Sequence, residues 1–69
     1  MKISARNQIP GKVIEVVKGA TTAHVKINIG GGTVITASIT NEAVDDLQLK
    51  AGSAATAIIK ASDVMVGVS

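Results

Sequence analysis

The 69-residue sequence contains no cysteine, no phenylalanine, tryptophan or tyrosine, one proline and one histidine. The lack of cysteine excludes disulfide bonds, and His24 alone cannot hold a structural zinc ion, so no metal site is predicted. The lack of aromatic rings leaves nothing on which nucleic-acid bases could stack. The chain therefore lacks the residues for most metal, redox and base-stacking chemistry.

Long apolar runs and a strong charge are also missing. No stretch approaches the ~20 apolar residues of a membrane-spanning helix, and the residues after Met1 do not form the apolar segment of a secretory signal. The net charge is +2, from seven basic and five acidic side chains. That excess is too small for a nucleic-acid footprint but suits a small anion. We expect a soluble, cytoplasmic protein with neither a membrane nor a nucleic acid as partner.

The length predicts a single domain over residues 1–69. A domain this small buries only about 60% of the surface that its unfolded chain exposes. Several predicted strands are apolar on both faces, as at Ile58-Ile59 and Val64-Met65-Val66, and an exposed apolar face of this kind marks an interface. Because neither disulfides nor zinc can stabilise the fold, we expect a homo-oligomer.

Segments rich in β-branched residues, separated by glycine, predict the secondary structure. The triplet Gly30-Gly31-Gly32 predicts a tight turn and not a phosphate-binding loop, because a strand pattern follows it. Three strands (12–18, 22–29 and 33–39) are followed by a short helix (41–47), capped by Thr40 or Asn41, and by two more strands (54–60 and 63–68). This order is typical of a mainly β, five-stranded OB-type Greek-key barrel with one short helix between strands 3 and 4. A small α+β sandwich with the same order is the alternative.

Enzymatic chemistry has little support in the sequence. The serines have only His24 as a possible base, and the segment around it offers no nucleophile. The helical carboxylates of Glu42, Asp45 and Asp46 lack the glycine-bearing loop of a calcium site, so a solvated helix face is the better interpretation. We therefore predict that the protein is not an enzyme.

Two segments instead combine a cation with small hydroxyl residues at predicted strand ends. Arg6 lies in Ser4-Ala5-Arg6-Asn7, and Lys60 begins Lys60-Ala61-Ser62. A guanidinium offers forked donors, an ammonium a compact positive charge and hydroxyls neutral donors, which together match a tetrahedral dianion. The residues therefore predict reversible binding of an oxyanion.

The opening Ser4-Ala5-Arg6-Asn7-Gln8 with Gly11, the segment from Lys60 to Met65 and the total length resemble the molbindins, small cytoplasmic molybdenum-pterin-binding (Mop) proteins. The chain is also similar to the domain repeated in molybdate-responsive regulators and appended to molybdate transporter ATPases. Since no DNA-binding or ATPase region is present, the stand-alone version is expected. The resemblance implies a hexamer, built as a trimer of dimers, that binds molybdate or tungstate at subunit interfaces for molybdenum storage or homeostasis. It implies no covalent cofactor.

Carried over by position, the resemblance also implies site residues. These are Ser4, Ala5, Arg6, Thr40, Ala43, Lys60 and Ala61. Ala43 stands where the related regulators have serine, so only its backbone N–H would serve. A possible second oxyanion site falls around Thr22, Ala23 and His24. The alternative function is a structural or nucleic-acid-associated OB module with incidental anion affinity, which salt-dependent retention of single-stranded RNA would favour.

Overall fold

The computed structural model describes residues 1–69 and is mainly β. Four strands and two short helices follow one another along the chain. They are β1 (Asn7–Lys18), β2 (Thr22–Gly30), β3 (Thr33–Thr40), α1 (Asn41–Asp46), β4 (Ala54–Ile59) and a 3₁₀ turn, α2 (Ala61–Asp63). Three strands, the helix and a fourth strand are therefore confirmed in the predicted order.

The strands form one antiparallel sheet in the order β3-β2-β1-β4. The sheet is curled, and its outer strands β3 and β4 leave one backbone edge each without a strand partner. The chain crosses from one edge to the other through α1. The helix is capped as predicted, because the side-chain oxygen of Thr40 accepts a hydrogen bond from the Ala43 N–H at 3.0 Å.

The first strand begins five residues earlier than predicted. Pro10 and Gly11 both lie inside this strand, and Pro10 pairs with Thr56 in the β1–β4 ladder. β1 pairs with β2 only from Lys12 onward, so the other edge of β1 is free at Pro10. A proline is tolerated at such a free edge because its missing N–H costs no hydrogen bond.

A bulge in β1 changes which apolar side chains face the core. Strict alternation predicts Val13 and Val17 on one face and Ile14 and Val16 on the other. The β1–β2 register shifts between Val13 and Glu15, so Ile14 is the extra residue. Val13 is buried, Val16 packs against the core, and Ile14 and Val17 are exposed, which corrects the predicted pairing of faces.

The core is small. Its buried members are Val13, Ala23, Val25, Ile27, Val44 and Ala57, six of the 69 residues. Half-buried apolar side chains from all four strands surround them. So few buried residues agree with the expectation that an isolated chain is marginally stable.

No helix in the structure combines the length and the apolar character needed to cross a membrane.

The predicted fifth strand is wrong for the single chain. Residues 61–63 form the 3₁₀ turn α2, and the residues after it pair with no strand. Val64, Met65, Val66 and Val68 are 50, 93, 90 and 96% exposed. Strand formation needs a neighbouring edge, and the residues after the turn at 61–63 pair with neither edge of their own sheet. The fold is accordingly a four-stranded curled sheet and not a five-stranded barrel.

Gly11 lies where β1 leaves β4 and begins to pair with β2. A Cβ atom here would lie 2.6 Å from the Asn28 carbonyl oxygen and 2.8 Å from Cγ2 of Ile27. We expect Gly11→Ala to lower the free energy of unfolding by about 1–3 kcal/mol, the range for overpacked sites. Urea unfolding measures this loss.

Gly31→Ala is the comparison variant for Gly11→Ala, because its strain comes from the backbone and not from a clash. The added methyl there has no atom within 4 Å, but the φ of +62° strains an alanine, which costs roughly 1–2 kcal/mol. If Gly31→Ala is destabilised but Gly11→Ala is as stable as the wild type, β1 can move away from β2 at Gly11 without loss of stability.

Candidate functional site

The start of β1 and the end of β4 bring the first group of predicted site residues together. Asn7 and Ile59 are the last paired residues of the two strands. The segment before Asn7 and the segment after Ile59 therefore leave the sheet side by side. Ser4, Ala5, Arg6, Lys60 and Ala61 thus form one group, called here the arm–turn cluster.

Two side chains that the sequence prediction did not assign fasten this cluster. The Asn7 side-chain amide donates to the Ile59 carbonyl oxygen at 3.2 Å, across the two strands. The Gln8 amide donates to the Ala5 carbonyl oxygen at 3.1 Å. Both residues belong to the opening motif, and amide side chains directly after Ser-Ala-Arg are the signal that marks them. These two bonds hold the segment around Arg6, which is itself exposed.

Both cations of the cluster are exposed. The two ion pairs of the structure lie elsewhere, joining Lys18 Nζ to Asp45 Oδ1 at 2.6 Å and Lys26 Nζ to Glu15 Oε1 at 4.0 Å. The turn after Lys60 closes through bonds from the Asp63 N–H to the Lys60 carbonyl (2.9 Å) and from the Val64 N–H to the Ala61 carbonyl (3.2 Å). The Ala61 N–H is not used by that turn, so it is a further neutral donor in the cluster.

The other predicted residues gather where β3 ends and β2 begins. Thr40 lies opposite Thr22 in the β2–β3 register, and Ala43 follows in the first turn of α1. Together these three residues form the hydroxyl corner. The Ala43 N–H already donates to Thr40 Oγ1. A threonine hydroxyl that accepts this bond keeps its own O–H free to donate, whereas the Ala43 N–H is already used.

The residues of the possible second site differ in accessibility. Ala23 is completely buried and pairs with Lys18 on one side and with Ile39 on the other. Thr22 and His24 are exposed, and His24 lies opposite Ser38. Only these two exposed side chains can therefore present polar atoms to a ligand.

Within one chain the arm–turn cluster and the hydroxyl corner lie at opposite ends of β1. Asn7, at the first end, adjoins β4, whereas Lys18, at the other, pairs with Ala23 near the hydroxyl corner. β1 has 12 residues, and a strand of that length spans roughly 35 Å along its path. Within a single chain the two groups are therefore separated by the length of this strand.

Two cavities lie elsewhere on the chain. One, of about 650 Å³, lies between the end of β1 and α1 and is lined by residues such as Val16, Lys18 and Val44. The other, of about 790 Å³, is an apolar groove along the inner face of the sheet, between β3 and β4. Neither is lined by a residue of the arm–turn cluster or of the hydroxyl corner.

No three His, Asp or Glu side chains lie close enough together to bind one metal ion.

Comparisons with known proteins identify the family. Residues 3–66 match the TOBE domain. The chain is 53% identical over 68 residues to a protein of Haemophilus influenzae named "probable molybdenum-pterin-binding protein", with 99% of each chain covered.

Two solved structures also share the fold. The molybdate-binding protein from Sporomusa ovata superposes with a TM-score of 0.92 at 40% identity, covering 99% of this chain and 100% of that one. The cytoplasmic molybdate-binding protein ModG, solved with molybdate bound, gives a TM-score of 0.94 at 46% identity, and this chain spans 49% of its length. The resemblance drawn from Ser4-Ala5-Arg6 and the late lysine segment is thereby confirmed. The chain belongs to the TOBE-domain family and, within it, to the molybdenum-pterin-binding proteins, or molbindins.

Proposed function

We propose that this protein binds molybdate or tungstate reversibly, as an oxyanion, at interfaces between copies of itself. The proposal extends to storage or homeostasis of molybdenum in the cytoplasm, with no bond made or broken in the anion. It rests above all on the separation of the predicted donors, which lie at opposite ends of β1 in one chain. The names of the relatives, which refer to molybdate and to molybdenum-pterin, support the choice of anion.

The chemistry of the two groups supports an interfacial site. Burying a dianion is costly unless it is neutralised and hydrogen-bonded, and each charge-assisted bond contributes about 1.5–3 kcal/mol. The arm–turn cluster supplies two cations and backbone donors, while the hydroxyl corner supplies the O–H of Thr40. An arm–turn cluster of one subunit facing a hydroxyl corner of another brings these complementary donors around one anion.

The apolar surface of the chain supports a homo-oligomer, which we propose to be a hexamer built as a trimer of dimers. The tail after α2 is apolar and almost fully exposed, as at Val66 and Val68. The sheet has an unpaired edge at β4 and one at β3, with the apolar groove between them. The tail of a second copy can pair with one of these edges and form the missing fifth strand. The apolar side chains of the tail and the apolar groove would then both be buried.

Titration of the purified oligomer with molybdate, in a large excess of sulfate, tests the function. We expect saturable, calorimetrically detected binding, because sulfate has the same charge and shape but shorter bonds and fits a molybdate-sized site poorly. Molybdate should also raise the melting temperature, since a ligand that binds only the assembled state stabilises it.

Complete competition by sulfate would contradict the proposal and reduce the site to a general anion patch. Light scattering on the same sample gives the subunit number, so that the stoichiometry of binding can be compared with the number of interfaces.

A further inference from the structure

Asn41, the first residue of α1, ties two segments of the chain together. Its backbone N–H donates to the Thr21 carbonyl oxygen at 2.9 Å. Its side-chain Nδ2 donates to the Gly19 carbonyl oxygen at 3.0 Å. The Gly19 N–H in turn donates to the Thr22 carbonyl oxygen at 2.7 Å. The β1–β2 turn is therefore joined to the chain at the residue that directly follows Thr40.

These bonds hold Thr40 from one side while the sheet holds it from the other. Ile39, before Thr40, is paired with the buried Ala23, and Thr40 itself lies opposite Thr22. Its hydroxyl oxygen accepts from the Ala43 N–H. The position of Thr40 Oγ1 thus depends on the strand behind it and on the Asn41 anchor in front of it.

We propose that Asn41 is the positioning residue of the oxyanion site, which sets the direction of the Thr40 hydroxyl without touching the anion. The proposal rests on the proposed function, since it concerns the same site. Asn41 is poorly suited to be a ligand itself, because one of its two Nδ2 hydrogens is used by Gly19 and its Oδ1 is a buried acceptor, which an anion repels.

The buried Oδ1 atom of Asn41 allows a positioning role to be distinguished from a purely stabilising one. It has no hydrogen-bond partner in the chain, and an unpaired buried acceptor is unfavourable. Asn41→Ala removes this unfavourable atom together with the favourable bond to Gly19, and alanine is a good helix former. The two changes oppose each other, so we expect the melting temperature to change little. The affinity for molybdate should fall roughly three- to tenfold, the effect of one misaligned neutral hydrogen bond.

A double-mutant cycle with Thr40→Ala tests this assignment. Molybdate affinity is measured for the wild type, Asn41→Ala, Thr40→Ala and the double variant, each checked for unchanged subunit number. If Asn41 acts through the Thr40 hydroxyl, Asn41→Ala weakens binding in the wild-type background and has almost no effect once the hydroxyl is gone. Equal losses in both backgrounds, or no loss in either, would overturn the proposal.

Hydrogen exchange in the absence of molybdate provides a second measurement, which does not depend on binding. The Ala43 amide donates to Thr40 Oγ1, so a displaced Thr40 in Asn41→Ala should speed its exchange while core amides such as that of Val25 stay unchanged. A wild type that binds no molybdate would defeat the proposed function alone. An unchanged Ala43 exchange rate would defeat the positioning role, whatever the wild type binds.

Discussion

Replacing Arg6 with alanine is expected to weaken molybdate binding by roughly tenfold to a hundredfold, because a charge-assisted hydrogen bond contributes about 1.5–3 kcal/mol. Arg6 is the only arginine in the chain and is exposed directly before β1. Arg6→Lys keeps the charge but loses the planar fork, so its affinity should fall between those of Arg6→Ala and the wild type. Calorimetric titration at fixed ionic strength measures all three.

Lys12→Ala is the control for the loss of one positive charge. Lys12 is exposed on β1, outside the arm–turn cluster, so its removal lowers the net charge of the chain as much as Arg6→Ala does. Its affinity for molybdate should stay close to that of the wild type. If the two alanine variants lose affinity equally, Arg6 contributes only general electrostatic attraction and is not a ligand.

Mixing two defective variants tests whether the site joins two chains. Arg6→Ala removes a cation from the arm–turn cluster, and Thr40→Ala removes the hydroxyl from the hydroxyl corner. If one site takes Arg6 from one subunit and Thr40 from another, oligomers refolded from both variants contain some intact sites. High-affinity binding should then return in the mixture and be absent from each variant alone. No recovery in verified mixed oligomers would place both groups in one chain.

The sequence predicted the local elements because their signals are local. The glycine triplet forms the β2–β3 turn, with positive φ at Gly30, Gly31 and Gly32, and Thr40 caps α1 through its own side chain. The bulge at Ile14 could not be predicted, because a bulge depends on how β1 fits β2 while it also leaves β4. Pairing between distant segments decides such details, and a single sequence does not contain them.

The residue types of the candidate site stand out in the sequence, but their arrangement in space does not. Arg6 and Lys60 stand out as cations among small residues, and the antiparallel pairing of β1 with β4 brings their segments together. The paired residues are far apart in the sequence, so no pattern of residue spacing indicates that they pair. The role carried over to Ala43 by position was a backbone N–H that binds the anion. In the structure this N–H donates to the Thr40 hydroxyl instead, which the sequence does not reveal. Ala23 is similar, because burial in the core removes its side chain from any surface site.

The mistaken fifth strand leads to the prediction with the largest effect on assembly. Residues 63–68 have the composition of a strand, yet Val66 is 90% exposed in the single chain. A segment of this kind is stable only against another sheet edge, which a second copy supplies. We therefore expect Val66→Asp to shift the protein from the oligomer toward smaller species and to lower its melting temperature markedly, since an unpaired carboxylate would be buried at the interface.

Ser69→Asp is the matched control, because it adds the same charge to the same segment beyond the apolar positions. It should keep the subunit number and melting temperature of the wild type. Sedimentation velocity over a range of protein concentrations measures the assembly, and circular dichroism shows whether the dissociated chain retains its sheet. A Val66→Asp protein with the wild-type mass and melting temperature would show that the tail stays free in solution. An interfacial anion site also requires the assembly, so molybdate binding should fall with the subunit number in Val66→Asp even though Arg6, Thr40 and Lys60 are all present.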